Sequence, residues 1–208
     1  AIPQYAFSGC SALKSITIPE SVEAIGDGAF RYCIALTNVA VPNSVTTIGA
    51  SAFEGCSVLG NITISESVET IGDGVFKNCR ALTNVEVPNS VITIGANAFE
   101  GCTNLTRITA GYSVTSVGAS AFSGCTKLKT VFISGNNATI AANAFANCGA
   151  ITSVKFDSVA SIADNAFQNM TNLKSVILGN SLTAIPQYAF SGCSALKSIT
   201  IPESVEAI

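Results

Sequence analysis

Histidine is absent from this chain, and so is tryptophan. Without imidazole, Ser-His and Cys-His nucleophile pairs and His-ligated metals are excluded, and no motif positions another general base. Charge is scarce as well: Lys and Arg number 10 and Asp and Glu 13 in 208 residues. Ten scattered cations make no stripe that could neutralise a phosphate backbone, so nucleic acid is not an expected partner. No apolar run approaches the ~18 residues of a membrane span, because Ser, Thr, Asn and Gly interrupt every few positions. Ala1 begins in mid-repeat rather than in a basic leader, so no signal peptide is expected in these residues. The eight cysteines contain no C-x-x-C pair, the short spacing that zinc sites need. Together these absences predict a protein that is not an enzyme, with no cofactor and no metal centre.

What is present is repetition. The stretch Leu13 to Ala35 is a unit that recurs along the whole chain, its copies opening at Leu13, Leu36, Leu59, Leu82, Leu105, Leu128, Ile151, Leu173 and Leu196. A nearly fixed period of this size marks a stack of supersecondary units, none of which buries its apolar face alone. The shared pattern is L-x-x-I-x-I-P-x-S-V-x-x-I-G-x-x-A-F-x-x-C-x-x. Its first part alternates with period two (Ile16 and Ile18 around Thr17), which predicts one short strand per repeat in a parallel sheet. Pro19 cannot donate to a ladder and marks the strand's end. After Gly26-Asp27-Gly28, the residues Ala29, Phe30 and Cys33 fall on one face of a helical turn, so a short helix or 3-10 turn is expected there.

Stacking such units lines up Phe7, Phe30, Phe53, Phe76, Phe99, Phe122, Phe145, Phe167 and Phe190 as the expected spine of the core. Cys10, Cys33, Cys56, Cys79, Cys102, Cys125, Cys148 and Cys193 share a second position, where Met170 fills the remaining copy. A disulfide ladder is conceivable, but an apolar Met in the same column favours buried thiols that act as small hydrophobes.

The IPxSVxxIGxxAFxxC core closely resembles the BspA-like (Treponema pallidum-type) class of leucine-rich repeats, and the resemblance covers essentially the whole chain. It implies an α/β repeat protein, a right-handed leucine-rich-repeat solenoid with its parallel sheet on the concave side. It also implies a surface adhesion or interaction protein, extracellular or at the cell surface. The common leucine-rich repeat has Asn where this chain has Ser21, Ser44, Ser67 and Ser90, and a hydroxyl there can still bond backbone groups of the turn.

The copies are uneven. Leu13–Val58 resembles Leu59–Asn104 more than adjacent repeats resemble each other, so the array grew by two-repeat units. From Leu105 to Asn172 the copies drift. Gly111, Ser134 and Asp157 replace the proline, and the Ile151 copy is one residue short at Asp157-Ser158. This is where a bend or a partner is expected. Residues 1–25 recur without change as residues 184–208, eight repeats further along, whereas every other pair of repeats has diverged. A larger period follows, with 1–183 as one block and 184–208 as the start of the next. On this reading 1–208 is a single uncapped solenoid. Open solenoid ends expose a strand edge and the Phe column, so further chain or another copy, the chain's own kind as partner, is expected to cover them. A fragment, or an engineered chain with a copied end segment, accounts for the same identity.

Two functions compete at this level. The first is a structural protein, a fibre of tandem blocks. The second is an adhesion module that recognises a host or cell-surface protein or glycan. In a solenoid of this kind the strands' outward positions form the recognition face, and here they are mostly small and polar. Arg107 and Phe132, with Lys155 nearby, are the exceptions and the candidate binding patch. Acidic rows at Glu20, Glu23 and Asp27 and at Glu66, Glu69 and Asp73 read as exposed turn residues before they read as a calcium site. Asn61, Asn104, Asn137 and Asn169 open N-x-[ST] triplets at a frequency expected by chance in so polar a chain.

Overall fold

The computed structural model describes residues 1–133, 137–156 and 158–208, with Phe132 described by its backbone alone. The period-two stretch forms strands as its alternation requires, apolar residues inward and small polar ones outward. Seven of the eight front strands are β2 (Asn38–Ala40), β4 (Asn61–Thr63), β6 (Asn84–Val87), β8 (Arg107–Ala110), β12 (Ser153–Lys155), β14 (Ser175–Ile177) and β15 (Ser198–Thr200). The eighth, β10 (Thr130–Ile133), lies between β8 and β12. In β6, Val85 and Val87 are buried while Asn84 and Glu86 face out.

A second strand per repeat, absent from the sequence reading, comes from the V-x-x-I-G segment. These strands are β1 (Ala24–Ile25), β3 (Thr47–Ile48), β5 (Thr70–Ile71), β7 (Thr93–Ile94), β9 (Ser116–Val117), β11 (Ala138–Ile140) and β13 (Val159–Ile162). They join in one seven-stranded parallel flank sheet in strict chain order. Parallel strands linked by such crossovers wind right-handed, so the chain is a right-handed solenoid with two strands per turn.

The third side corrects the expectation of a short helix or 3-10 turn. Among the described residues there is no helix; the G-x-x-A-F-x-x-C segment is a run of turns. The cause is its backbone. In each repeat the residues two before and two after the Phe lie in the left-handed region, as at Gly28 (φ 57°) and Tyr32 (φ 57°) around Phe30, or Ser51 (φ 54°) and Gly55 (φ 72°) around Phe53. A right-handed helix cannot pass through such residues. Alternation of the two hands instead aims every second N–H along the solenoid axis. Gly28, Phe30 and Tyr32 donate to the carbonyls of Ala50, Ala52 and Glu54 in the next turn at 2.7–2.8 Å, and the intervening Arg31 and Cys33 close i to i−3 turns at 3.0 and 3.1 Å. Three such axial bonds recur at every junction up to Asn165, Phe167 and Asn169, which donate to Gln187, Ala189 and Ser191.

Inside, one apolar core runs from Ile18 to Ala189. The Phe column stacks nearly face to face from Phe7 to Phe190, with centroids 5.1–5.8 Å apart. The cysteine column is a column of thiols: all eight are free, and Cys33, Cys56, Cys79, Cys102, Cys125 and Cys148 each donate from Sγ to a Phe carbonyl of the preceding turn at 3.1 Å. Burial pushes the Cys56 and Cys125 thiols up to about 12 and those of Cys79, Cys102 and Cys148 well above the ordinary 9.0, which keeps them protonated and unreactive.

Candidate binding face

Most described outward residues of the front strands are exposed, from Asn38 and Ala40 to Ser198 and Thr200, with Thr109 and Ser175 half-buried, so the geometry leaves this face to solvent. Of the three residues singled out from sequence, Arg107 is exposed at the start of β8 and donates from Nε to Thr109 Oγ1 at 3.2 Å. Lys155 is exposed at the end of β12. The Phe132 side chain lies outside the described residues, as do Ser134 and Asp157. Thr130 pairs with Arg107 and Phe132 with Thr109 in the ladder, which sets the Phe132 and Arg107 backbones on a diagonal of one face. Among the described residues no ladder joins β10 to β12, so Lys155 belongs to a separate sheet from the other two. That break falls in the drifted repeats. There the flank sheet carries a register shift between Ala138 and Thr139, and Ser158 forms an antiparallel bridge with Gly179.

The front sheet is also split between β4 and β6, in a part of the sequence that looked regular. Here the structure places a recess of about 860 Å³ that sequence reasoning missed. One substitution marks its rim. Where sister repeats carry Pro42 and Pro88, this repeat carries Ser65, whose side chain turns inward and donates from Oγ to the Val45 carbonyl at 3.2 Å. In the neighbouring turns the equivalent bond comes from the Ser of the S-V pair: Ser44 to the Val22 carbonyl and Ser90 to the Val68 carbonyl, both at 2.7 Å. The rim therefore lacks a proline ring at Ser65, between turns that retain theirs at Pro42 and Pro88, and lacks it again at Gly111. The signal was present as I-S-E-S-V among I-P-E-S-V and V-P-N-S-V, but a single Pro-to-Ser change does not announce a cavity.

Glu66 and Glu86 both line the recess, Arg107 adjoins it through its bond to Thr109, the ladder partner of Glu86, and Tyr112, 67% exposed, stands at one end. Two other acidic residues bind backbone: Asp27 and Asp73 accept from the N–H of Ala50 and Ala96 at 2.8 Å, capping the next turn. Among the described residues no group of His, Cys, Asp and Glu could hold a metal ion, and no helix is long and apolar enough to cross a membrane.

The family described as BspA type leucine rich repeat region matches residues 1–129 and 92–208. A leucine rich cell surface protein of Faecalibacterium prausnitzii A2-165 is similar at 32% identity and a TM-score of 0.67, over 100% of this chain and 66% of its own. A leucine-rich repeat protein from Bacteroides ovatus ATCC 8483 is similar at 25% identity and a TM-score of 0.66, over 99% of this chain and 65% of its own. The chain thus spans just under two thirds of the length of both. The T. pallidum leucine rich repeat protein shares the fold, with 24% identity, a TM-score of 0.66 and coverage of 94% of this chain and 81% of that one. Among curated proteins none matches the chain.

Proposed function

The chain belongs to the BspA-type leucine-rich-repeat family, and from that membership we propose that it is a structural segment of an extracellular or cell-surface fibre built from tandem copies of the 1–183 block. One observation carries the reading: residues 1–25 and 184–208 are identical, and the chain holds both surroundings that this segment would have inside an array. Its first copy contributes Phe7, stacked on the following Phe30 at 5.3 Å; its second contributes Phe190, stacked on the preceding Phe167 at 5.2 Å. The axial bonds agree, since Tyr5, Phe7 and Gly9 donate forward to Asp27, Ala29 and Arg31 while Ser191 accepts from Asn169. Joining block to block therefore creates no junction that this chain lacks. At ~4.8 Å per parallel strand, eight repeats advance the rod by roughly 40 Å.

The surface location rests on the family and on the cell-surface protein of F. prausnitzii. The mass of the native protein under denaturing, reducing conditions tests the fibre. Masses above 21.2 kDa that rise in steps of one 1–183 block support a covalent array, and a mass near 21.2 kDa removes it. The rival reading, an adhesin that grips a protein or glycan through Arg107, Phe132 and Lys155, is separated by alanine at those three positions. Loss of partner binding with assembly intact favours the adhesin; no effect favours the fibre.

A further inference from the structure

We propose that the recess between β4 and β6, which Arg107 adjoins through Thr109, is a binding site for a neutral or amino-bearing oligosaccharide, a site independent of fibre assembly. Its volume, about 860 Å³, lies within the ~300–1,000 Å³ of sites that hold small ligands. Its lining is mixed, amide and hydroxyl groups from Asn84, Asn89 and Thr63 beside the apolar walls of Ile62 and Val87. A sugar ring needs this combination, because its hydroxyls both donate and accept while its C–H face seeks an apolar or aromatic surface. Tyr112 offers that surface, standing exposed at the rim in a position where the preceding repeat has Asn89.

The charges narrow the ligand further. Glu66 and Glu86 face the recess, and among the described residues neither takes part in an ion pair. A carboxylate accepts paired hydroxyls or an ammonium group well and repels sulfate, phosphate and sialic acid. Acidic glycans are thereby disfavoured at the wall formed by Glu66 and Glu86. An extended peptide is disfavoured by the backbone. β4 is laddered to β2 on one side and β6 to β8 on the other, and consecutive turns of one chain leave no room for a strand to add between them.

The closing of the recess is written in the sister repeats. Ser65→Pro restores the residue that the neighbouring turns carry at Pro42 and Pro88, so it refills the rim without a new backbone demand.

The test is an array printed with neutral, amino-bearing, sulfated and sialylated oligosaccharides and with extended peptides, probed with the intact chain, followed by calorimetry with the best-retained printed compound. The proposal expects retention of neutral or amino-bearing glycans. It expects affinity to fall about tenfold or more in Tyr112→Ala, Glu86→Gln and Ser65→Pro, with unchanged affinity in Lys155→Ala and unchanged melting in Tyr112→Ala, Glu86→Gln and Lys155→Ala; Ser65→Pro also removes the bond to the Val45 carbonyl, so its native fold is verified by circular dichroism at the binding temperature. Retention of acidic glycans alone, of peptides alone, or of nothing overturns it. So does glycan binding that survives Ser65→Pro and Tyr112→Ala, or that is lost equally in Lys155→Ala. None of these outcomes bears on the mass of the native array, so the site and the fibre stand or fall separately.

Discussion

The turn column and the front sheet are built from the same repeats and behave differently. Along the column each Phe ring meets the next at 5.1–5.8 Å, and three N–H groups per turn donate axially from the first junction to the last, through the drifted repeats as well. Along the front, the ladder breaks twice, once beside an ordinary-looking repeat and once in the short one. The column's residues point inward, where a lost methylene leaves a void. The front's outward residues meet water, and a strand can shift by a fraction of its spacing at the expense of a few hydrogen bonds. Sequence freedom and surface recesses therefore collect on one side, and stability on the other.

This contrast is broken most directly in the column. Phe76→Ala or Phe99→Ala, deep within it and fully buried, is expected to destabilise by about 3–5 kcal/mol in urea titration. An effect below about 1 kcal/mol would remove the column as the source of stability. Next comes the left-handed backbone. A Cβ at Gly55 (φ 72°) would sit 2.3 Å from the Tyr32 ring, whereas at Gly124 (φ 73°) it meets nothing nearer than the Gly101 backbone at 3.9 Å. Both substitutions to Ala carry the left-handed strain, ~1–2 kcal/mol, and Gly55→Ala is expected to melt clearly lower than Gly124→Ala. Equal melting temperatures would show that strain alone governs these turns.

Alkaline pH probes the thiols. The unfolded chain ionises its cysteines near 9, while in the native state burial holds Cys56 and Cys125 protonated up to about 12 and raises Cys102 well above 9. Their folded pKa is raised, so their contribution is complete below pH 9 and is lost as pH climbs from 9 toward 12, at about 1.4 kcal/mol per pH unit for each thiol. Stability measured at pH 8, 9.5 and 10.5 is expected to fall, and less steeply in Cys102→Ala. An unchanged slope in that variant would mean the thiol is already ionised or exposed.

The smaller effects lie on the front side. Ser44→Ala or Ser90→Ala removes the hydroxyl bond to the preceding turn and is expected to cost about 0.5–1.5 kcal/mol. Arg107→Ala and Lys155→Ala, exposed on the front strands, are expected to stay within ~0.5 kcal/mol of the parent by the same titration. If either exceeded a column substitution, the division of labour between the two sides would be wrong.

Much of this was legible before any coordinates. The repeat period, the inward set Leu13, Ile16, Ile18, Phe30 and Cys33, and the exposed alternates on the front strands follow from periodicity and from the need of each repeat to bury its face on the next. The structure added three things. Ala29, Phe30 and Cys33 sit inward, as a helical turn would place them, but on a backbone whose hand alternates. Tyr32 and Ser51 occupy left-handed positions that their chemistry does not advertise, unlike Gly28 and Asn78. The V-x-x-I-G segment is too short to announce a strand by itself and becomes one only because seven copies stack side by side.

The recess beside Ser65 is of the same kind. The sequence by itself determined which residues repeat and which face inward, because those are set by spacing along one chain. Only the tertiary structure decided where backbone donors pair and where the front sheet opens, because each depends on what the preceding and following turns, a full repeat away along the chain, present across the gap.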